Sequence, residues 1–265
     1  MNLDLTGRNA FVGGSSKGIG KAVAIELAKL GASITLVGRD DPALIQGLID
    51  LSFISKSEQR HDSLAVDYSN PEKVKTAVDR HLKKTNKTYH ILINNTGGPP
   101  SGKIFEAQED EFIKAFEAHL INNHQLTKLF VTGMKKDGYG RIINIISTSV
   151  KQPLANLGVS NTIRAAVANW AKTMANELGA FGITVNNVLP GATETDRMKS
   201  IIANRVDKTG WDEEMVKDEM LREIPMKRFG KPEEVASAVA FLASPAAAYI
   251  NGINVPVDGG RTLSL

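Results

Sequence analysis

The stretch Gly13-Gly14-Ser15-Ser16-Lys17-Gly18-Ile19-Gly20 limits what this chain can become more than any other. It sits between the apolar run Ala10-Phe11-Val12 and the helical pattern Val23, Ile25, Leu27, Ala28, Leu30. A buried strand that turns sharply into a helix leaves free backbone N–H groups and the positive end of the helix dipole aimed at one point, where a phosphate can sit. Gly13 and Gly18 are expected to take turn angles that a side chain would forbid, and Gly20 to let the helix lie close on the strand. An isolated glycine-rich turn is a weak signal. Here the spacing is G-x-x-x-x-G-x-G, and a second strand pattern, Ser33-Ile34-Thr35-Leu36-Val37, arrives at βαβ distance, so the turn reads as a nucleotide cradle.

The rest of the chain supports one α/β domain. Strand-length apolar runs at 9–12, 33–37, 63–67, 90–93, 141–146, 184–188 and 253–257 alternate with helical patterns at 19–30, 42–56, 71–84, 109–135, 160–180 and 232–243. That alternation predicts a Rossmann-like, doubly wound parallel sheet of seven strands with helices on both faces. At 265 residues, one domain over 1–265 is the expectation. The segment 191–230 breaks the rhythm: it is long and charged, and it carries Met198, Ile201, Ile202, Trp211, Met215 and Met220. It reads as a substrate lid, with a fixed helical pair as the alternative. A net charge of +3 without basic runs argues against nucleic acid and suits an anionic small molecule. Cysteine is absent, which removes disulfides, thiolate nucleophiles and thiolate metal sites. No apolar run is long enough to span a membrane and no leader pattern opens the chain, as expected of a cytoplasmic protein.

The second strand pattern ends in Gly38-Arg39, where a protein preferring NAD places an acidic residue against the ribose hydroxyls. Arg39 can fork onto a 2′-phosphate, Gly38 leaves room for it, and Lys17 adds a second positive charge, so NADP(H) is preferred and NAD(H) remains possible. Alternatively, Arg39 is a solvated loop residue facing Asp40 or Asp41. Asp67 is placed to meet an adenine edge. Asn94-Asn95-Thr96-Gly97 closes the fourth strand, where amides can tie strands together and a glycine admits a ribose. The stiffened loop Gly97-Gly98-Pro99-Pro100-Ser101-Gly102 follows at the carboxyl edge, where ligands of such sheets bind.

These residues resemble the short-chain dehydrogenase/reductase superfamily, in particular the group of 3-oxoacyl-carrier-protein reductases, over essentially the whole chain. The glycine turn stands where the family has its cofactor turn, with Gly13 for the usual Thr. Asn94-Asn95-Thr96-Gly97 is similar to the family's Asn-Asn-Ala-Gly. Pro190-Gly191-Ala192-Thr193-Glu194-Thr195 resembles the stretch that holds the nicotinamide carboxamide, and Val257-Asp258-Gly259-Gly260 resembles the family's ending near a subunit interface. The resemblance implies a nicotinamide cofactor, a small-molecule carbonyl substrate and a homotetramer or homodimer.

The family's catalytic pattern is altered. Its serine at the end of the fifth strand falls on Ser147. Thirteen residues on, where the family has Tyr, stands Ser160, and four further, in place of Lys, stands Arg164. The family's helix-four asparagine falls on His119, the one group of that neighbourhood expected to titrate near neutrality, or else a buried structural histidine. Carbonyl reduction needs a proton donor within reach of the developing alkoxide. A tyrosine, unperturbed at about pH 10, is brought toward neutrality by its lysine, whereas serine has no acidity in that range. Arg164 can supply positive potential and bind the nicotinamide ribose, but it does not release a proton. Lys151 and Gln152 follow Ser147 closely and could meet an anionic substrate. Three readings follow: a carbonyl reductase whose proton comes through Ser160, His119 or water; a catalytically impaired nucleotide-binding sensor or assembly partner; and a reductase of activated double bonds.

Overall fold

A computed structural model describes residues 1–264. All the strands are parallel: β1 (Asn9–Val12), β2 (Ser33–Gly38), β3 (Asp62–Ala65), β4 (Ile91–Asn94), β5 (Gly140–Ile145), β6 (Ile183–Pro190) and β7 (Asn254–Val257). They form one sheet in the order β3-β2-β1-β4-β5-β6-β7. The order reverses between β1 and β4, which opens a crevice at their carboxyl ends where such sheets take ligands. The central strands are almost wholly buried, as a sheet covered on both faces requires.

Helices α1 (Gly18–Lys29), α2 (Asp41–Ser52) and α9 (Pro232–Ala243) bury one face, packing Val23, Leu27, Leu44, Val235 and Val239 against Val12, Ile34, Ile93 and Ile143. Helices α3 (Pro71–Thr85), α5 (Asn122–Asp137) and α6 (Gly158–Leu178) bury the other, with Val74, Leu126, Phe130 and Ala171 against Phe11, Leu92, Ile142 and Val185. Asp40 and Asn70 cap α2 and α3 by accepting the N–H of Ala43 and Lys73.

One expectation is corrected. The single helix expected over 109–135 is α4 (Glu109–Phe116) and α5 joined by a π-helical turn over Glu117–Ile121. The wider turn changes the helical phase, and a purely apolar periodicity does not report it. The segment after β6 holds α7 (Asp196–Thr209) and α8 (Glu213–Arg222), with a small core of their own from Met198, Ile202, Val216 and Ile224.

Four asparagines cross the sheet at register. Asn94 Nδ2 donates to Asn144 Oδ1, Asn144 Nδ2 to Asn187 Oδ1, and Asn187 Nδ2 to Asn254 Oδ1, each at 2.8 Å. This ladder fixes β4 to β7 at the end where the crevice opens. Among the described residues, no helix is long and apolar enough to cross a membrane.

Candidate functional site

The glycine turn fills the gap between β1 and α1. Gly14 and Gly18 have φ of +55° and +57°, angles that favour glycine. Gly13 departs from expectation: its φ is not positive, and what it supplies is room, because a Cβ there would lie 2.7 Å from the Asn95 carbonyl oxygen and 3.0 Å from Tyr68 Oη. The buried Tyr68 ring thus takes up space next to position 13. A Cβ on Gly20 would collide with the Gly14 carbonyl oxygen, so the close approach of helix to turn is as expected.

Internal bonds hold this turn. Ser15 Oγ accepts the Val37 N–H at 2.7 Å and Ser15 N donates to Val37 O at 3.0 Å, which commits Ser15 to β2. Asn95 Nδ2 donates to the Gly13 and Gly14 carbonyls. The N–H groups of Ser16, Gly18 and Ile19 find no acceptor among the described residues, and with the N-terminus of α1 behind them they form an anion cradle. Thr195 caps α7 and lies against the turn, its methyl 3.4 Å from the place a Cβ on Gly18 would occupy. Thr193 is buried and donates to the Gly191 carbonyl, Pro190 ends β6, and Gly191 N donates to Val257 O.

Arg39 is exposed at the tip of β2, its Nη1 4.0 Å from Asp67 Oδ2 rather than facing Asp40 or Asp41. Both thus flank the same corner of the crevice. Lys17 lies elsewhere: Nζ is 2.9 Å from Asp196 Oδ2, joining the turn to α7. Asn94 is bound into the asparagine ladder, with its Oδ1 buried and unpartnered. Thr96 is half-buried, and Gly97 borders open space.

The altered catalytic pattern lies at the carboxyl ends of β4 and β5. Ser147 follows β5 and caps a short 3₁₀ turn, its Oγ accepting the Ser149 N–H at 3.1 Å. Ser160 stands in the first turn of α6, half-buried and with no side-chain hydrogen bond among the described residues, and Arg164 stands one turn later. Arg164 is buried, and its Nη1 donates to the Ile145 carbonyl at 2.9 Å, drawing α6 onto the strand end next to Ser147. Burial, then the charge of Arg197, pull its guanidinium down to about 10, which leaves it protonated at neutral pH. His119 lies buried in the π-helical turn. Burial first, and the Arg164 charge second, hold its pKa well below the ordinary 6.5, so it does not titrate near neutrality as expected: it is a neutral imidazole there.

No tyrosine takes the missing place. Tyr139 donates to the Ala243 carbonyl, Tyr249 is fully exposed, and Tyr68 and Tyr89 are buried in the core with their phenols pushed up by that burial. Sequence reasoning missed Arg197 at the start of α7, whose Nη2 donates to the Pro99 carbonyl at 2.6 Å. Nothing in the Asp196-Arg197 pair says that one turns to the glycine turn and the other to the β4 loop.

A family model described as Enoyl-(Acyl carrier protein) reductase matches residues 14–262. The chain is 35% identical over 260 residues to the 3-oxoacyl-[acyl-carrier-protein] reductase FabG of Vibrio cholerae, covering 97% of this chain and 98% of that one. It is 31% identical to the NADPH-dependent reductase BacG of Bacillus subtilis, covering 97% and 99%. The crystal structure of L-sorbose reductase from Gluconobacter frateurii, complexed with NADPH and L-sorbose, superposes with a TM-score of 0.92 at 33% identity over the full length of both chains. With the parallel sheet, the glycine turn and the serine after β5 in place, the chain belongs to the short-chain dehydrogenase/reductase family of oxidoreductases.

Proposed function

We propose that the protein is an NADP-dependent reductase that transfers hydride to a small carbonyl compound, with a proton donor other than the family's tyrosine. The observation that carries this is Arg164: it keeps a cation at the end of β5, tied to Ile145 and beside Ser147, where decay of the site would have left none. The unbonded amides of Ser16, Gly18 and Ile19 fit a dinucleotide diphosphate, and Arg39 with Asp67 fit the adenosine end with its 2′-phosphate. Thr195, against Gly18, and the buried Thr193 fit the carboxamide end. The NADPH of the sorbose reductase complex and the NADPH dependence of BacG support the same cofactor, and the NADH-bound 7α-hydroxysteroid dehydrogenase structure, 29% identical, keeps NAD(H) as a second choice.

When bound, the reduced nicotinamide supplies a hydride to an electrophilic carbon. The chain's own residues then handle the oxygen. Ser147 Oγ donates to it and fixes its direction. Arg164 stabilises the negative charge that develops there, and in a buried site its potential counts for more than in water. It gives up no proton, and neutral His119 is a poor acid. Ser160 Oγ therefore serves as a relay, passing on a proton drawn from solvent.

That weak acidity favours a second reading, reduction of an activated double bond. There the hydride goes to the β-carbon, Arg164 holds the resulting enolate, and protonation at the α-carbon follows from water. The substrates of the relatives differ, and no one of them fixes the substrate of this chain. Exposed Ile113, Phe116 and Tyr249 offer apolar surface for the homotetramer or homodimer that the family resemblance implies. Incubation with NADPH deuterated at its transferable position, against a panel of ketones and enones, tests the reading. Deuterium on a product carbon supports it and tells C=O from C=C reduction. Tight NADPH binding with no label in any product would leave a nucleotide-binding protein.

A further inference from the structure

Two guanidinium groups converge beside the cleft, and among the described residues no carboxylate neutralises either. A Cβ built on Gly98 would lie 3.7 Å from Arg164 Nη2 and 3.7 Å from Arg197 Nη2. The two nitrogens are therefore no farther apart than twice that distance, a gap that one carboxylate can bridge with its two oxygens. Arg164 spends Nη1 on the Ile145 carbonyl, while its buried Nε has no acceptor. Arg197 spends one bond on the Pro99 carbonyl, which holds it over the β4 loop. Among the described residues no carboxylate pairs with either, and burial, then the charge of Arg197, lowers the pKa of Arg164. Two like charges held together, one of them buried, raise the free energy of the empty site, and an anion relieves it.

The anion is not the cofactor's. Asp196 and Arg197 are adjacent in sequence and turn opposite ways, Asp196 to Lys17 on the glycine turn and Arg197 to Pro99 and Arg164 on the far side of the cleft. The diphosphate has its own cradle of unbonded amides at that turn. We propose that Arg164 and Arg197, meeting over Gly98, grip a carboxylate of the substrate, so that the compound reduced is a small oxo acid or unsaturated oxo acid and not a neutral ketone, a sugar or an acyl thioester. This rests on the hydride-transfer reading for what happens to the oxo group, and on the two arginines alone for the carboxylate. Arginine in place of the family's lysine then has a reason, because a planar fork reaches Ile145 with one nitrogen and the substrate with another.

The test separates the two layers by measuring binding. Cyclohexanecarboxylate and cyclohexanecarboxamide, alike in shape and differing in charge, are titrated calorimetrically into the protein with and without NADPH. The expected result is a preference of tenfold or more for the carboxylate. Arg197→Gln should reduce that preference to less than twofold, Arg197→Lys should keep part of it, and the NADPH affinity of both variants should stay within threefold of the wild type. Equal binding of the two probes, or binding of neither, overturns the subsite. So does a more than tenfold loss of NADPH affinity in Arg197→Gln with the probe preference intact, which would give that guanidinium to the cofactor. A carboxylate preference in a wild type that fails to bind NADPH would leave the subsite standing and remove the hydride-transfer reading instead.

Discussion

The glycine turn and the β5–α6 corner face each other across one crevice and are held in opposite ways. At the turn three polar side chains are bonded within the protein: Ser15 binds β2, Asn95 binds Gly13 and Gly14, and Lys17 meets Asp196. What stays free there is backbone N–H. At the corner the free groups are side chains. Among the described residues Arg164 Nε, Thr148 Oγ1 and Ser149 Oγ are buried without partners, Ser160 Oγ has no hydrogen bond, and no carboxylate pairs with Arg164 or Arg197. Leaving a buried polar group unpaired costs about 1–3 kcal/mol, so the corner, with three such groups against Tyr68 Oη alone at the turn, is the more strained half and the turn the more settled one. A fold can keep a backbone cradle while its side-chain chemistry is rebuilt beside it, since the cradle depends on glycines and the chemistry on a few replaceable residues.

The largest expected effect comes from restoring the family's pair. Ser160→Tyr with Arg164→Lys should raise reduction of ordinary ketones by about 10²–10⁴-fold, the usual value of a placed general acid. Steady-state NADPH oxidation checks it. No gain, in a variant that still binds NADPH, would mean that more of the corner than the acid has changed.

On the settled side, Arg39→Asp should cost about 1.5–3 kcal/mol of NADPH binding, more than tenfold, and should reverse the preference for NADPH over NADH. Calorimetric titration of both cofactors decides it, and equal affinities in the wild type would remove the 2′-phosphate from the account.

Across the crevice from the sheet, α7 and α8 have a separate core, so they are expected to open as a unit. Amide exchange over residues 197–222 without ligand should run at least about tenfold faster than in β4 and β5, and should slow when NADPH and a substrate bind. Exchange as slow as the central strands would make the pair a fixed part of the scaffold.

The smallest effect is thermodynamic. His119 is held neutral in the fold with its pKa well below 6.5, whereas the unfolded chain takes up a proton near that value. The unfolded state then binds more protons as pH falls, so the contribution is fully present above about pH 6.5 and is lost below it, at up to about 1.4 kcal/mol per pH unit. Urea unfolding at pH 7.5 and 5.5 should show His119→Asn losing about 1 kcal/mol less than the wild type over that interval. His61, His81 and His90 are also depressed by burial and leave a common slope in both proteins.

Most of the sheet was legible because its strands are buried on both faces and carry their apolar runs openly, as Ile91–Asn94 and Gly140–Ile145 do. The glycine turn was legible from spacing, though it is Gly14 and not Gly13 that takes the positive φ. The break at His119 was not, because a π-helical turn keeps the residue types of a helix and alters only its phase. Nor was the meeting of Arg164 with Arg197, which depends on how α7 lies over the β4 loop and leaves no mark in either local sequence. The asparagine ladder was legible only in part: Asn94 suggested strand tying, but its partners Asn144, Asn187 and Asn254 are joined by register across distant strands.

The central claim, an intact NADPH site beside a corner without the family's acid, is tested most directly by stopped-flow mixing of the NADPH-loaded wild type with a 3-oxoacyl thioester. The account predicts NADPH bound tightly and oxidised far more slowly than a typical enzyme turns over. Turnover at about 10 s⁻¹ or faster would contradict it, because an effective acid would then have to be present where Arg164 and neutral His119 give up no proton and Ser160 only relays one from solvent.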